Sequence, residues 1–151
     1  MGRLAGIARH DRPKGPMETL DSARVTRGEG VLGDYRGALA AQKPGRKRQV
    51  SLIERACWEA ALAEIDGSLD WHHSRRNLVL EGLRLPREPG TRLRIGASLI
   101  IEITGECEPC ERMEALIPGL FAAMTPDWRG GFVGRVEQDG EIALDDEIRI
   151  L

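Results

Sequence analysis

Glycine punctuates this chain. Eighteen of its 151 residues are glycine, while aromatic residues make up only 4%. Glycine alone adopts positive φ without a steric cost, so each one is a ready place to reverse the backbone. Reversals this frequent leave room for strands of about four to eight residues and for few long helices. Strand-like runs lie at Gly2–Arg9, Leu20–Thr26, Gln49–Ile53, Asn77–Glu81, Thr91–Ile95 and Ser98–Thr104. A hairpin is predicted from Gly131–Glu137 and Glu141–Ile150 about Gln138, Asp139 and Gly140, because Asp-Gly favours the tight primed turns. The best helix is Glu54–Ile65, rich in Ala and Glu, with Ser51 and Glu54 set as a capping box and Gly67 as its stop. A second helix begins within Cys107–Leu116. Arg27–Gly45 holds five glycines and Pro44 and reads as a long ordered loop. Strands outnumber helices and do not alternate with them regularly. The reading is therefore a single domain, 1–151, mainly β and barrel-like, with one or two packed helices.

Charge narrows the function. Lys and Arg number 22 against 24 Asp and Glu, a net of −2. A dedicated nucleic-acid binder carries a basic excess, so that class is disfavoured; a local anion site is not. The longest apolar stretch, Ala115–Met124, is interrupted by Pro118 and Gly119, so no membrane span is expected. Leu4–Ala8 is too short for a signal-peptide core and is followed at once by Arg9, His10, Asp11 and Arg12. The expected location is the cytoplasm, where cysteines stay reduced and a close pair reads first as catalytic or metal-binding.

Four segments carry possible chemistry. Glu106-Cys107-Glu108-Pro109-Cys110-Glu111-Arg112 follows the strongest strand and opens a helix, where free N–H groups and the dipole favour a thiolate. Arg112 supports that ionisation and the three glutamates oppose it. One C-x-x-C pair admits a structural zinc site, a thioredoxin-like redox pair, plain packing, or a soft ligand site for a cofactor metal. Zinc lacks paired ligand spacing, with only Cys57, His10, His72 and His73 to add. The redox pair lacks βαβ surroundings. Trp71-His72-His73-Ser74-Arg75-Arg76-Asn77 offers guanidinium and amide donors to a phosphate or polar heterocycle. Its bland alternative is a solvated loop, and the two histidines read as structural or exposed. Gly33-Asp34-Tyr35-Arg36-Gly37, with Lys43, Arg46, Lys47 and Arg48, could approach an anion or could be a flexible surface loop. Trp128-Arg129-Gly130-Gly131 reads as the turn leading into the last hairpin, with a packed Trp. Cys57 reads as a small buried hydrophobe.

The order GDYRG, RQVSLIERA, RRNLVLEGL, LRIGASLIIEITGECEPCERM, RGGFVGRV and GEIALDDEIRIL resembles the MOSC domain. This domain occurs at the C-terminus of molybdenum cofactor sulfurases, in molybdenum-dependent reductases of N-hydroxylated compounds, and as small stand-alone bacterial proteins. The resemblance spans about Gly33 to Leu151. It implies a strand-rich barrel that binds the pterin-based molybdenum cofactor. It also implies that Cys110 is the molybdenum ligand or a persulfide sulfur carrier. Cys107 matches the preceding cysteine of the pair. Arg75 and Asn77 match an Arg-x-Asn pair that touches the cofactor, and the expected cofactor-binding set is Arg48, Arg75, Arg76, Asn77, Gly105 and Arg129. The reductases' first barrel domain has no counterpart in this sequence, and neither has the sulfurases' pyridoxal phosphate-dependent domain. Pyridoxal phosphate is thus only a family association. The function implied is cofactor sulfuration, delivery or reduction, with an external sulfur donor or electron-transfer partner protein. The alternatives are a thiol–disulfide oxidoreductase using Cys107 and Cys110, or a non-catalytic binding module.

Overall fold

The computed structural model describes residues 1–42 and 47–151. Its strands are β1 (Gly2–Arg9), β2 (Glu18–Leu20), β3 (Ser22–Thr26), β4 (Gly30–Val31), β5 (Val50–Glu54), β6 (Leu78–Glu81), β7 (Arg92–Ile95), β8 (Leu99–Glu106), β9 (Phe132–Gln138), β10 (Gly140–Ala143) and β11 (Glu147–Ile150). Seven of them close into a barrel in the order β1–β6–β5–β9–β8–β7–β11, with β11 returning to pair with β1. The β5–β6 pairing is parallel and the other ring pairings are antiparallel. Closure removes the open edges that would otherwise recruit other strands. β2 pairs outside the ring on β1, and β10, β3 and β4 form a small separate sheet. The helices are α1 (Tyr35–Ala41), α2 (Arg55–Glu64), α3 (Glu111–Leu116) and α4 (Leu120–Met124), with 3₁₀ turns at Trp71–Ser74 and Pro126–Trp128.

Alternation along the strands divides the core in two. Leu52, Leu78 and Leu80 point into the barrel with Leu4, Leu93, Leu99, Ile101 and Phe132. Ile53 and Val79, one residue out of phase, point outward and are covered by Trp58, Leu62, Met113, Leu120 and Met124. Each such side chain contributes about 1.5–3 kcal/mol when removed from water. This outer layer fixes α3 and α4, and with α3 the cysteine loop, against the barrel wall.

The barrel agrees with the mainly β reading, while several local expectations are overturned. The run Leu20–Thr26 breaks at Asp21, where the chain passes from the barrel sheet to the small sheet. The expected long loop contains α1, capped by Asp34, whose Oδ2 accepts from Gly37 N at 3.2 Å. A side chain at Gly37 would collide with the Glu29 carbonyl, so this glycine serves a close helix-to-backbone approach. Ser51 does not cap α2; it lies within β5, and Glu54 takes the capping position without a side-chain bond. Asp66, at φ 52°, rather than Gly67 makes the left-handed turn that ends α2. Gly105 does not stop β8, which continues to Glu106 after a register slip between Ile103 and Gly105. The Asp139-Gly140 hairpin is absent as well. β10 leaves β9 and pairs with β3, because the pairing to Val25 and Ala23 gives Ile142 a buried partner face. Lys43, Pro44, Gly45 and Arg46, read from the sequence as part of the loop and its basic cluster, lie outside the described residues.

Candidate functional site

A cleft of about 240 Å³ opens at the end of the barrel where β1 finishes and β5 and β6 begin. Its floor is riveted by Asn77. The Asn77 Oδ1 accepts from Ser51 N at 3.0 Å and Ser51 Oγ at 3.2 Å, and Nδ2 donates to Ala8 O at 3.0 Å. Ser51 Oγ in turn accepts from Asn77 N at 3.0 Å. One side chain thus ties β1, β5 and β6 together, and a single amide N–H of Asn77 remains for a ligand.

Arg75 and Arg76 precede that rivet. Arg75 sits at φ 63°, ψ 24°, a left-handed conformation that costs a non-glycine residue of order 1 kcal/mol. It ends the Trp71–Ser74 turn, and its Nη2 donates to Gly15 O at 2.8 Å, drawing the 11–17 loop onto the cleft rim. Arg76 is only 4% exposed. Its Nε donates to Gly130 O at 2.7 Å, Nη1 to Ser74 O at 3.0 Å and Nη2 to Cys107 O at 3.5 Å. No carboxylate pairs with it among the described residues. Burial lowers its proton affinity, the Cys107 and Cys110 thiols oppose that, and Arg48 and Arg36 reinforce it. Arginine remains a cation throughout, so the cleft wall holds a buried positive charge without a counter-ion.

The cysteine loop is held from below. Cys107 is 1% exposed, and its N–H donates to Gly131 O at 2.8 Å. Gly130 passes so close that a Cβ there would lie 2.5 Å from Cys107 O and 3.1 Å from Pro109. These contacts carry the chain to Cys110, which is exposed, occupies the N-cap position of α3 and lines the cleft. All three cysteines are free.

Lys14, Arg36, Arg48, Arg75, Arg76 and Arg112 also line the cleft, against the single carboxylate of Asp34. Asp34 is spent on structure as well, since its Oδ1 accepts from His10 N at 3.1 Å. His10 stands beside it, with Nδ1 3.4 Å from Asp34 Oδ1 and no hydrogen-bond partner. Arg75 is held below the ordinary arginine value by burial, then by Arg112 and Arg36, with Cys110 and Asp34 opposing. Such a field attracts a compact, multiply charged anion.

Of the site residues expected from the sequence, the cleft gathers Cys110, Arg48, Arg75, Arg76 and Asn77. Cys107 lies buried beneath it. Gly105 lies in β8 opposite Val133, and Arg129 is turned to the helical side, where Nη1 meets Ala123 O at 2.9 Å and Glu64 Oε1 at 2.8 Å. Lys14 and the functional place of His10 were not legible in the sequence. Among the described residues no group of three or more His, Cys, Asp or Glu forms a metal cage. A single exposed thiol bordered by cations, an orphaned ring nitrogen and an unpaired buried guanidinium together fit a soft metal carried on an anionic organic group. No described helix is long and apolar enough to cross a membrane.

Known proteins agree with this architecture. YuaD from Bacillus subtilis superposes with a TM-score of 0.78 at 21% identity, over 98% of this chain and 94% of that one. YiiM from Escherichia coli gives 0.69 at 16% identity, over 99% and 69%. YiiM from Geobacillus stearothermophilus gives 0.67 at 14%, over 99% and 73%. No curated protein matches the sequence. The MOSC domain profile matches residues 16–149, from the loop after β1 into β11, and the chain therefore belongs to the MOSC domain family.

Proposed function

We propose that the cleft binds the molybdenum cofactor, with Cys110 as the thiolate ligand of the metal or as the carrier of the sulfur it receives. The family is generally linked to molybdenum cofactor-related function. The observation that carries the reading is the disposition of charge: five arginines and a lysine surround one exposed thiol, against one carboxylate already engaged in capping. When bound, the cofactor supplies two-electron redox or sulfur-accepting chemistry at its metal. The residues of this chain do the rest. Arg75, Arg48 and Arg112 supply charge-assisted donors to the acidic terminus. Arg76 holds the cysteine loop and adds fixed positive potential from below. Asn77 keeps the floor in register and offers its one free N–H. Burial of Cys107 supports Cys110 acting alone rather than a reversible Cys107–Cys110 couple.

The test is molybdenum analysis with pterin fluorescence on protein purified from cofactor-producing cells, alongside Cys110→Ala prepared in parallel. The parent is expected to retain molybdenum and the variant to lose it. Equal molybdenum in both removes Cys110 from the role. Turnover of an N-hydroxylated base with an added electron donor then separates a reductase from a delivery module, which shows none.

A further inference from the structure

His10 is the anomaly of the cleft. Its side chain is only 10% exposed, and its Nδ1 is the one buried side-chain polar atom without a partner among the described residues. A buried polar atom of this kind costs free energy until something satisfies it. The backbone that carries the imidazole is held in place, because His10 N donates to Asp34 Oδ1 and His10 O accepts from Tyr35 N at 2.7 Å. Asp34 is anchored in turn by capping α1. The groups facing His10 are Lys14 on its own loop, Asp34, Tyr35 and Arg36 of the α1 end, Arg75 of the 3₁₀ turn, and Arg112 of α3. Arg48, Arg76 and Cys110 line the same cleft.

We propose that this cleft is a proton-coupled site for a phosphate monoester, in which His10 takes up one proton from solvent as the dianion enters. The proposal deepens the cofactor reading and rests on it for the anionic ligand. In the free protein, burial holds His10 below the usual histidine range; Asp34 opposes this, and Arg75, Arg36 and Arg112 reinforce it. A bound dianion cancels the arginine field and leaves Asp34 unopposed, so the charged imidazolium becomes the favoured form. A small turn of the ring then brings Nδ1–H onto Asp34 Oδ1, which satisfies the orphan, and Nε2–H becomes a donor for the ligand side. Linkage requires the reciprocal effect: anion affinity rises as pH falls through the histidine range.

The experiment is isothermal titration of the intact chain with sulfate, whose charge is constant near neutrality, in two buffers of different ionisation enthalpy. A buffer-dependent heat reporting proton uptake, and sulfate affinity about tenfold higher at pH 6 than at pH 8, is expected. His10→Gln should bind sulfate without uptake and with a flat pH profile. Sulfate binding by the parent with no uptake overturns the proposal and leaves the cofactor cleft standing; uptake that persists in His10→Gln overturns the assignment to His10. Phenyl phosphate is expected to bind more tightly than inorganic phosphate, and the reverse order overturns the ester assignment. Failure of every probe to bind overturns the proposal and the anionic cleft together.

Discussion

Arg87 grips Glu54 through two parallel hydrogen bonds, Nη1 to Oε2 and Nη2 to Oε1, each 2.8 Å long and largely buried. The same carboxylate accepts from Leu85 N at 2.6 Å and from Cys57 Sγ at 3.2 Å. Arg87 also lies over the Phe132 ring, 5.3 Å from its centroid. The junction of β5 and α2 is thereby locked to the 83–90 loop and to β9. Glu54→Ala should cost about 3 kcal/mol, because it strands a buried guanidinium and a backbone donor together. Chemical denaturation checks this; a loss below about 1 kcal/mol would mean the fork is ornamental.

The same carboxylate sets an acid limit. Burial alone would raise the Glu54 pKa, but the bonds from Arg87, Leu85 N–H and Cys57 outweigh it, and the carboxyl is held below its ordinary value. A depressed folded-state value means the contribution is complete above the unfolded carboxylate range and is lost as pH falls through the folded one. Stability measured from pH 5 downward should therefore fall less steeply in Glu54→Gln than in the parent.

Thiol chemistry should single out one cysteine of three. Cys57 and Cys107 are buried and Cys110 is exposed. Burial first, then the Glu54 hydrogen bond, pushes the Cys57 thiol up and makes it less reactive still. Brief treatment of the native protein with iodoacetamide is expected to place a single adduct on Cys110 by peptide mass spectrometry. Comparable early labelling of Cys107 would contradict its position beneath the cleft.

Gly130→Ala should disturb the site more than the fold. The added methyl meets the Cys107 carbonyl and Pro109, so the cysteine loop must move. Such crowding costs about 1–3 kcal/mol. The expected signature is a modest drop in melting temperature with a large loss of molybdenum retention; unchanged retention would show that the loop tolerates displacement.

Arg76→Met removes the only donors that reach the carbonyls of Gly130, Ser74 and Cys107 from that side chain. Hydrogen bonds to a charged group contribute about 1.5–3 kcal/mol each before compensation. Faster amide hydrogen exchange at Cys107–Cys110 is expected, with the barrel strands β7 and β11 unchanged.

Local chemistry was readable where neighbours in sequence decide the outcome. β1 runs over Gly2–Arg9 as its pattern suggested, and Arg75, Arg76 and Asn77 reach the cleft because a strand begins directly after them. The strand-end position of the C-x-x-C segment was equally plain. What stayed hidden depends on distant partners. α1 contains a glycine that argues against a helix, and its packing on Glu29 and Gly30 overrides that propensity. Asp139-Gly140 carries a hairpin signal, but β3 supplies a better face than β9 does. His10 sits in a charged, turn-like stretch and stands out in the sequence only as a spare candidate for a zinc site that lacks ligand spacing. Its role exists only because Asp34, 24 residues later, folds back against it. Arg129 looked like the other arginines, and only the helices decide that it turns away.

β11 seals the ring by pairing on one side with β7 and on the other with β1. β1 is thus completed by a strand more than a hundred residues further along the sequence, and its Gly2–Arg3 rim stays unpaired until β11 docks. Loss of the stretch from Glu147 onward would leave β7 and the Gly2–Arg3 end of β1 as open rims that recruit other strands, an aggregation-prone species instead of a merely shortened protein.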